Sequence, residues 1–203
     1  MSYSTAHKVL KKDPKLAKIM KLVGEYQIRT SRNYYESLVE AIITQQLAGS
    51  AAKAISNRFR SLYGKSFPKP IDVINTLDSK LRKTGLSRMK IEYIKELSKA
   101  IEAKKLKMRS ISKLSDEEVV EQLTQIKGIG RWTAEMFLIF SLGRMDVLPV
   151  GDLGLRKGIQ LYNSADELPN AAEIEKLGER WRPYRTVATW YLWKSLKTFD
   201  TIG

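Results

Sequence analysis

Two short stretches of this chain combine glycine with residues able to hold or stabilise charge. The first is Gln125-Ile126-Lys127-Gly128-Ile129-Gly130-Arg131-Trp132-Thr133-Ala134. Its Gly-x-Gly lies between two helical patterns, one from Ser115 to Leu123 and one from Arg131 to Leu142. Glycine lets the backbone turn sharply and approach another molecule closely. The amides around Gly128 and Gly130 then point outward at the start of the second helix, an end that carries partial positive charge and favours an anion. A plain turn between helices would also use two glycines. The apolar residues before and between them and the Trp-Thr-Ala that follows favour a phosphate seat made by Lys127, Gly128, Ile129, Gly130, Arg131 and Thr133. The second stretch is Leu148-Pro149-Val150-Gly151-Asp152-Leu153-Gly154-Leu155-Arg156. On residue types alone Asp152 is the N-cap of a helix over 153–160. A carboxylate fixed behind Pro149 and Gly151 can also stabilise positive charge developing on a bound molecule.

Little else in the chain offers chemistry. There is no cysteine, which removes disulfides, thiolate nucleophiles, zinc–thiolate sites and thiolate-held iron–sulfur clusters. His7 is the only histidine and lies near the start, where a solvated or packed role outweighs a general base. No His or carboxylate cluster has metal-ligand spacing. Gly64-Lys65-Ser66 echoes the end of a nucleotide-binding loop but lacks the preceding glycine at the required interval. Lys11-Lys12, Lys104-Lys105 and Lys107 read as solvated faces, with some contact to a nucleic-acid backbone. The net charge of +14 favours a polyanionic partner, because each neutralised phosphate releases counterions. Solubility, a ribosome-like role or a membrane surface would use the same charge. No run approaches the roughly 20 apolar residues that span a bilayer, and the N-terminal residues lack a signal peptide's apolar core. An intracellular protein without a membrane partner is expected.

The elements that must position these stretches read as helices. Leu38, Ile42 and Gln45 fall at helical intervals, as do Ile55, Phe59 and Leu62, and Ile91, Ile94, Leu97 and Ile101. Asp13-Pro14 predicts an N-cap with proline at the first helical position, and Gly24 closes that helix. Ser115 and Glu118 form a capping box. Segment 64–70, GKSFPKP, reads as a loop between helices. Nothing alternates long enough to predict a sheet, so the fold class is all-α.

The hairpin, the Asp152 loop, the upstream segment Glu40-Ala41-Ile42-Ile43-Thr44-Gln45-Gln46-Leu47-Ala48 and the C-terminal Arg180-Trp181-Arg182-Pro183-Tyr184-Arg185 together resemble the helix-hairpin-helix DNA glycosylase superfamily. Asp152 follows Gly128 by 24 residues, the family's spacing. Within the superfamily the blocks are similar to the 3-methyladenine DNA glycosylase II branch, over approximately residues 30–197. The chain is too short for the extra N-terminal β-domain of that branch's larger bacterial members.

The resemblance implies two helical lobes with a DNA-binding groove between them, one over 31–142 and the other from 1–30 plus 143–203. It implies a monomeric enzyme that extrudes damaged, alkylated bases from double-stranded DNA and cleaves the N-glycosidic bond. Asp152 would be the catalytic carboxylate. Trp132, Met136, Leu153 and Trp193 would line the base pocket, although Met136 and Leu153 stand where the best-known bacterial pattern has aromatics, which bears on base preference. Trp132 and Trp193 would otherwise be core. Gln46, with Leu47 as the alternative, would be the wedge that fills the space left in the duplex. The lyase branch places a Schiff-base lysine two residues after the hairpin's second glycine, and here that position is Trp132. Arg131 cannot replace it, since guanidinium stays protonated. A monofunctional hydrolase without an organic cofactor follows. Related hairpins hold a monovalent cation on backbone carbonyls, which by position would be those of Thr124, Ile126 and Ile129. Glycosylases for deaminated, etheno or oxidised bases, a hairpin module that only binds DNA, and an RNA-binding basic protein are the competing expectations.

Overall fold

The computed structural model describes residues 3–47 and 49–199. Among them twelve α-helices alternate with turns and no strand occurs. In chain order they are α1 (Tyr3–Leu10), α2 (Pro14–Val23), α3 (Tyr34–Thr44), α4 (Gly49–Ser61), α5 (Pro70–Asn75), α6 (Asp78–Lys83), α7 (Arg88–Glu102), α8 (Asp116–Thr124), α9 (Arg131–Phe140), α10 (Leu153–Asn163), α11 (Ala171–Gly178) and α12 (Arg185–Phe199). The chain divides into two compact units, one from residues 1–30 and 138–203 and the other from 31–137.

The unit that holds both chain ends is organised around α12. Every residue from Thr186 to Leu192 is buried, so this helix is wrapped on all sides. Helices α2 and α10 pack on it. Their core residues include Leu16, Ile19 and Met20 from α2 and Leu155 and Ile159 from α10. Asp13 pins three parts of this unit. Its carboxylate caps α2 through the N–H groups of Lys15 and Leu16, both at 3.1 Å. It also accepts the Tyr162 hydroxyl of α10 at 2.6 Å and the indole N–H of Trp181 at 3.1 Å. Burial alone would raise the Asp13 carboxyl pKa. The hydrogen bonds from Tyr162, Leu16 and Trp181 and the charge of Arg180 outweigh it and hold the group below its usual range. Gly24 closes α2, its N–H bonding to Met20 O.

The second unit is built on α3, α4, α5 and α7, which pack pairwise. Ile91, Ile94 and Leu97 of α7 are buried, as the spacing predicts, and Ile101 is half-buried. Tyr35 of α3 meets Ser98 of α7 at 2.7 Å between hydroxyl oxygens. Glu40 of α3 accepts from Ser56 and Arg60 of α4, which ties these two helices. The capping box is formed, with Ser115 Oγ accepting from Glu118 N and the Glu118 carboxylate accepting from Ser115 N.

Three local expectations are corrected. Gln45 lies outside α3, which ends at Thr44; its backbone turns to ψ 130° and its side chain leaves for another partner. Leu62 lies beyond α4 and is 41% exposed, so it is not a core residue. Pro70 is not in the loop before α5 but is that helix's first residue, where its fixed φ and missing N–H cost nothing. The helices that follow the two glycine-rich stretches also end differently from the sequence pattern. Helix α9 stops at Phe140 and not at Leu142, and α10 continues to Asn163, past residue 160.

Candidate active site

The Asp152 loop turns on short backbone bonds, Val150 N to Leu148 O and Asp152 N to Pro149 O, both at 2.9 Å. Asp152 then caps α10, its Oδ1 accepting the Leu155 N–H at 2.6 Å. The same oxygen accepts the indole N–H of Trp193, from α12, also at 2.6 Å. A main-chain donor and a rigid side-chain donor therefore fix the carboxylate from two directions. Gly154 makes this possible. A Cβ there would stand 2.9 Å from Trp193 Cδ1 and 3.0 Å from Asp152 Oδ1, too close for either to stay in place. Phe140 stacks on the Trp193 ring, with centroids 5.9 Å apart and planes at 17°. Asp152 itself is half-buried, while Leu153 beside it is 53% exposed.

The sequence places Asp152, Leu153 and Trp193 in one site, and the structure puts all three in the same unit. The Trp193 N–H is spent on Asp152. Gly154 and Phe140 were not singled out from the sequence. An aromatic residue at the end of α9 carries no local mark of its role, and Gly154 looks like one more residue of a glycine-rich loop.

The hairpin belongs to the other unit. Helix α8 runs to Thr124, Ile126 and Ile129 are joined by a backbone bond of 3.0 Å, and α9 begins at Arg131. Gly128 has φ +92°, and a Cβ there would lie 2.1 Å from the Tyr93 ring of α7. Only glycine fits both the backbone angle and the contact. Ala134 N bonds back to Gly130 O at 3.1 Å, so the N–H groups of Gly130, Arg131 and Thr133 precede the first intrahelical donor of α9. Gly130 has no side chain with which to cap them. Lys127 is exposed and its ammonium sits 2.7 Å from Glu92, whose hydrogen bond and charge raise the lysine's pKa. Arg131 is exposed and reaches Glu135 at 3.0 Å. Ile129 and Thr133 are buried at 3% and 4% exposure. Trp132 is 48% exposed, and Met136, one turn further along α9, is half-buried.

Gln46 and Leu47 are both exposed on the turn after α3. Gln46 has φ +56°, a left-handed backbone that costs a non-glycine residue on the order of 1–3 kcal/mol. Two residues that sequence reasoning left aside hold this turn. Gln45 Nε2 donates to Gly128 O at 2.9 Å, and Lys90 Nζ donates to Ile43 O and Gln45 O, both at 2.7 Å. The turn and the hairpin line one cleft of about 540 Å³ with Lys90 and Tyr93. Thr124, Ile126 and Ile129, expected to offer carbonyls to a cation, line the same cleft. The Ile126 carbonyl already accepts Ile129 N. Among the described residues no group of three or more His, Cys, Asp or Glu could hold a metal ion, and no helix is long and apolar enough to cross a membrane.

Known proteins are similar to this chain over most of its length. DNA-3-methyladenine glycosylase 1 of Schizosaccharomyces pombe is 40% identical over 193 residues, which covers 93% of this chain and 85% of that protein. The structure of S. pombe 3-methyladenine DNA glycosylase (Mag1) in complex with abasic DNA superposes with a TM-score of 0.84 at 40% identity, covering 95% of this chain and 97% of the other. A DNA-3-methyladenine glycosidase from Bacillus halodurans superposes with a TM-score of 0.85, also at 40% identity, covering 95% and 89%. Residues 39–183, which include the Gln46 turn, the hairpin and the Asp152 loop, match a single family description. The chain belongs to the HhH-GPD superfamily of base excision DNA repair proteins.

Proposed function

We propose that this protein is a monofunctional DNA glycosylase that removes alkylated purines, of the 3-methyladenine and 7-methylguanine type, from double-stranded DNA and leaves an abasic site. The observation that carries the proposal is Asp152, held on one oxygen by Leu155 N–H and Trp193 N–H in a chain so similar to 3-methyladenine glycosylases. The relative whose structure contains abasic DNA is bound to the class of product this reaction leaves.

As the bond between C1′ of the sugar and the base nitrogen breaks, the base keeps the electron pair and positive charge builds on the sugar. The fixed carboxylate of Asp152 stabilises that charge. A water oxygen then bonds to C1′ and its proton passes to Asp152 or to solvent, so the sugar ends with a hydroxyl. A purine alkylated at N3 or N7 already carries a positive charge and leaves neutral, so the step needs no general acid. This agrees with a chain whose one histidine, His7, lies on α1. Trp132, Met136, Leu153 and Trp193 are the side chains assigned to the extruded base, whose electron-poor ring favours indole faces. Gln46, with Leu47 beside it, is assigned to the space left in the duplex. The N–H groups at the start of α9 and the Lys127 and Arg131 side chains are assigned to a DNA phosphate. Carbonyl oxygens suit a hard cation, and those of Thr124, Ile126 and Ile129 would hold a structural monovalent cation at the hairpin, where it would supply positive charge.

The position that bears the lyase lysine in the strand-cleaving branch is Trp132 here, so water is the nucleophile and no Schiff base forms. The test is release of free base from methylated duplex DNA, with products separated by chromatography. Wild-type protein releases methylated purines without nicking the strand, and Asp152→Asn binds the DNA without release. Binding without release by wild-type protein, on methylated, etheno and hypoxanthine DNA alike, would replace this account with a DNA-binding module.

A further inference from the structure

Helix α7 carries two adjacent side chains that serve other segments. Lys90 lies in its first turn, where Ser87 Oγ caps the Lys90 N–H at 3.2 Å. A cation there opposes the dipole of its own helix. It faces instead the C-terminal end of α3, where carbonyls lack intrahelical partners and a positive charge is favoured. Lys90 Nζ bonds two of those oxygens, Ile43 O and Gln45 O, on the two sides of Thr44. Burial lowers the Lys90 pKa. One turn on, Tyr93 supports Gly128 of the hairpin. Gln45 closes the third side by donating to Gly128 O. The result fixes the backbone at Ile43 and Gln45, on the N-terminal side of Gln46's left-handed turn, and the Gln45 side chain links it to the phosphate-binding hairpin.

We propose that Lys90 and Gln45 are positioning residues for base extrusion, holding the Gln46 turn in its left-handed geometry and tying it to the hairpin. The proposal rests on the assignment of Gln46 as the wedge. Phosphate bound at the hairpin and the side chain entering the duplex then share one rigid frame, so the wedge is aimed when the backbone is seated. Neither residue needs to touch DNA.

The test follows extrusion directly, by stopped-flow fluorescence of 2-aminopurine placed beside a damaged base, with DNA affinity measured by anisotropy over a range of salt. Lys90→Met keeps the apolar stem and removes the ammonium, and Gln45→Ala removes the link to Gly128. Each is expected to slow extrusion and base release about tenfold, the rate equivalent of losing a hydrogen bond from a charged or rigidly placed donor. Lys90→Arg is expected to restore most of the rate. Affinity should change little, and the dependence of log Kd on log salt should keep its slope. In a Gln46→Ala background the Lys90→Met change should add almost nothing. A slope that falls by about 1 in Lys90→Met would make Lys90 a phosphate contact and overturn the proposal. Normal extrusion by both Lys90→Met and Gln45→Ala, with slow extrusion by Gln46→Ala, would overturn the positioning role alone. Normal extrusion by Gln46→Ala would overturn the wedge assignment on which it rests.

Discussion

Asp13 and Asp152 occupy the same position in their helices and receive the same kind of donors. Each caps a helix, α2 or α10, and each accepts a backbone N–H three residues ahead together with an indole N–H from a distant tryptophan. They differ in what completes the surroundings. Asp13 has a side chain only 8% exposed, and its second oxygen takes the Tyr162 hydroxyl and lies 4.0 Å from Arg180. Asp152 is half-buried beside exposed Leu153 and carries both short bonds on one oxygen. The same local device thus locks three segments together in one place and aims a carboxylate in another.

The comparison can be sharpened by removing the two indole donors. Trp193→Phe keeps the ring that stacks on Phe140 and deletes the N–H to Asp152. Single-turnover release should fall about tenfold, by the same factor for 3-methyladenine and 7-methylguanine. A loss that differs between bases would show that the Trp193 ring face, and not its N–H to Asp152, carries the effect. Asp13→Asn should leave release per folded molecule unchanged and destabilise the protein by roughly 1–3 kcal/mol at neutral pH, read from urea denaturation. The pH dependence has a defined sign. Because the Asp13 pKa is lowered on folding, its contribution is present above the unfolded value near 4 and is lost as pH falls through the folded value. The gap between wild type and Asp13→Asn should therefore close below about pH 4. The smallest effect concerns the hairpin before α9. Lys127→Gln should reduce the salt slope of DNA binding by about 1 and leave the rate of release from bound DNA unchanged.

The local half of this design was legible in the sequence. Asp13-Pro14, Ser115 with Glu118, and Gly128 with Gly130 mark helix ends through backbone donors only a few residues away. Asp152 as a cap was equally legible. What separated it from Asp13 was the resemblance of the surrounding blocks to a known family. The contacts that build the site were not legible. Trp193 meets Asp152 across 41 residues of sequence, and Lys90 reaches back 47 and 45 residues to its carbonyls. Helical spacing reports which face is apolar and says nothing of which distant polar atom a lysine or an indole will find. Gln45 shows the cost of reading spacing alone. It falls on the helical interval after Ile42, yet α3 ends one residue earlier, and the Gln45 side chain bonds the hairpin.

The central claim is that Asp152 acts in the reaction and is not needed to hold the fold. The most direct measurement is single-turnover release of methylated purine by Asp152→Asn at saturating protein, with a melting curve on the same sample. The account predicts a rate lower by about 10²–10³ or more, the scale of losing one preorganised electrostatic group, with DNA binding and the melting transition close to wild type. Release within a few-fold of wild type would contradict it, and so would a loss of activity that merely tracked unfolding.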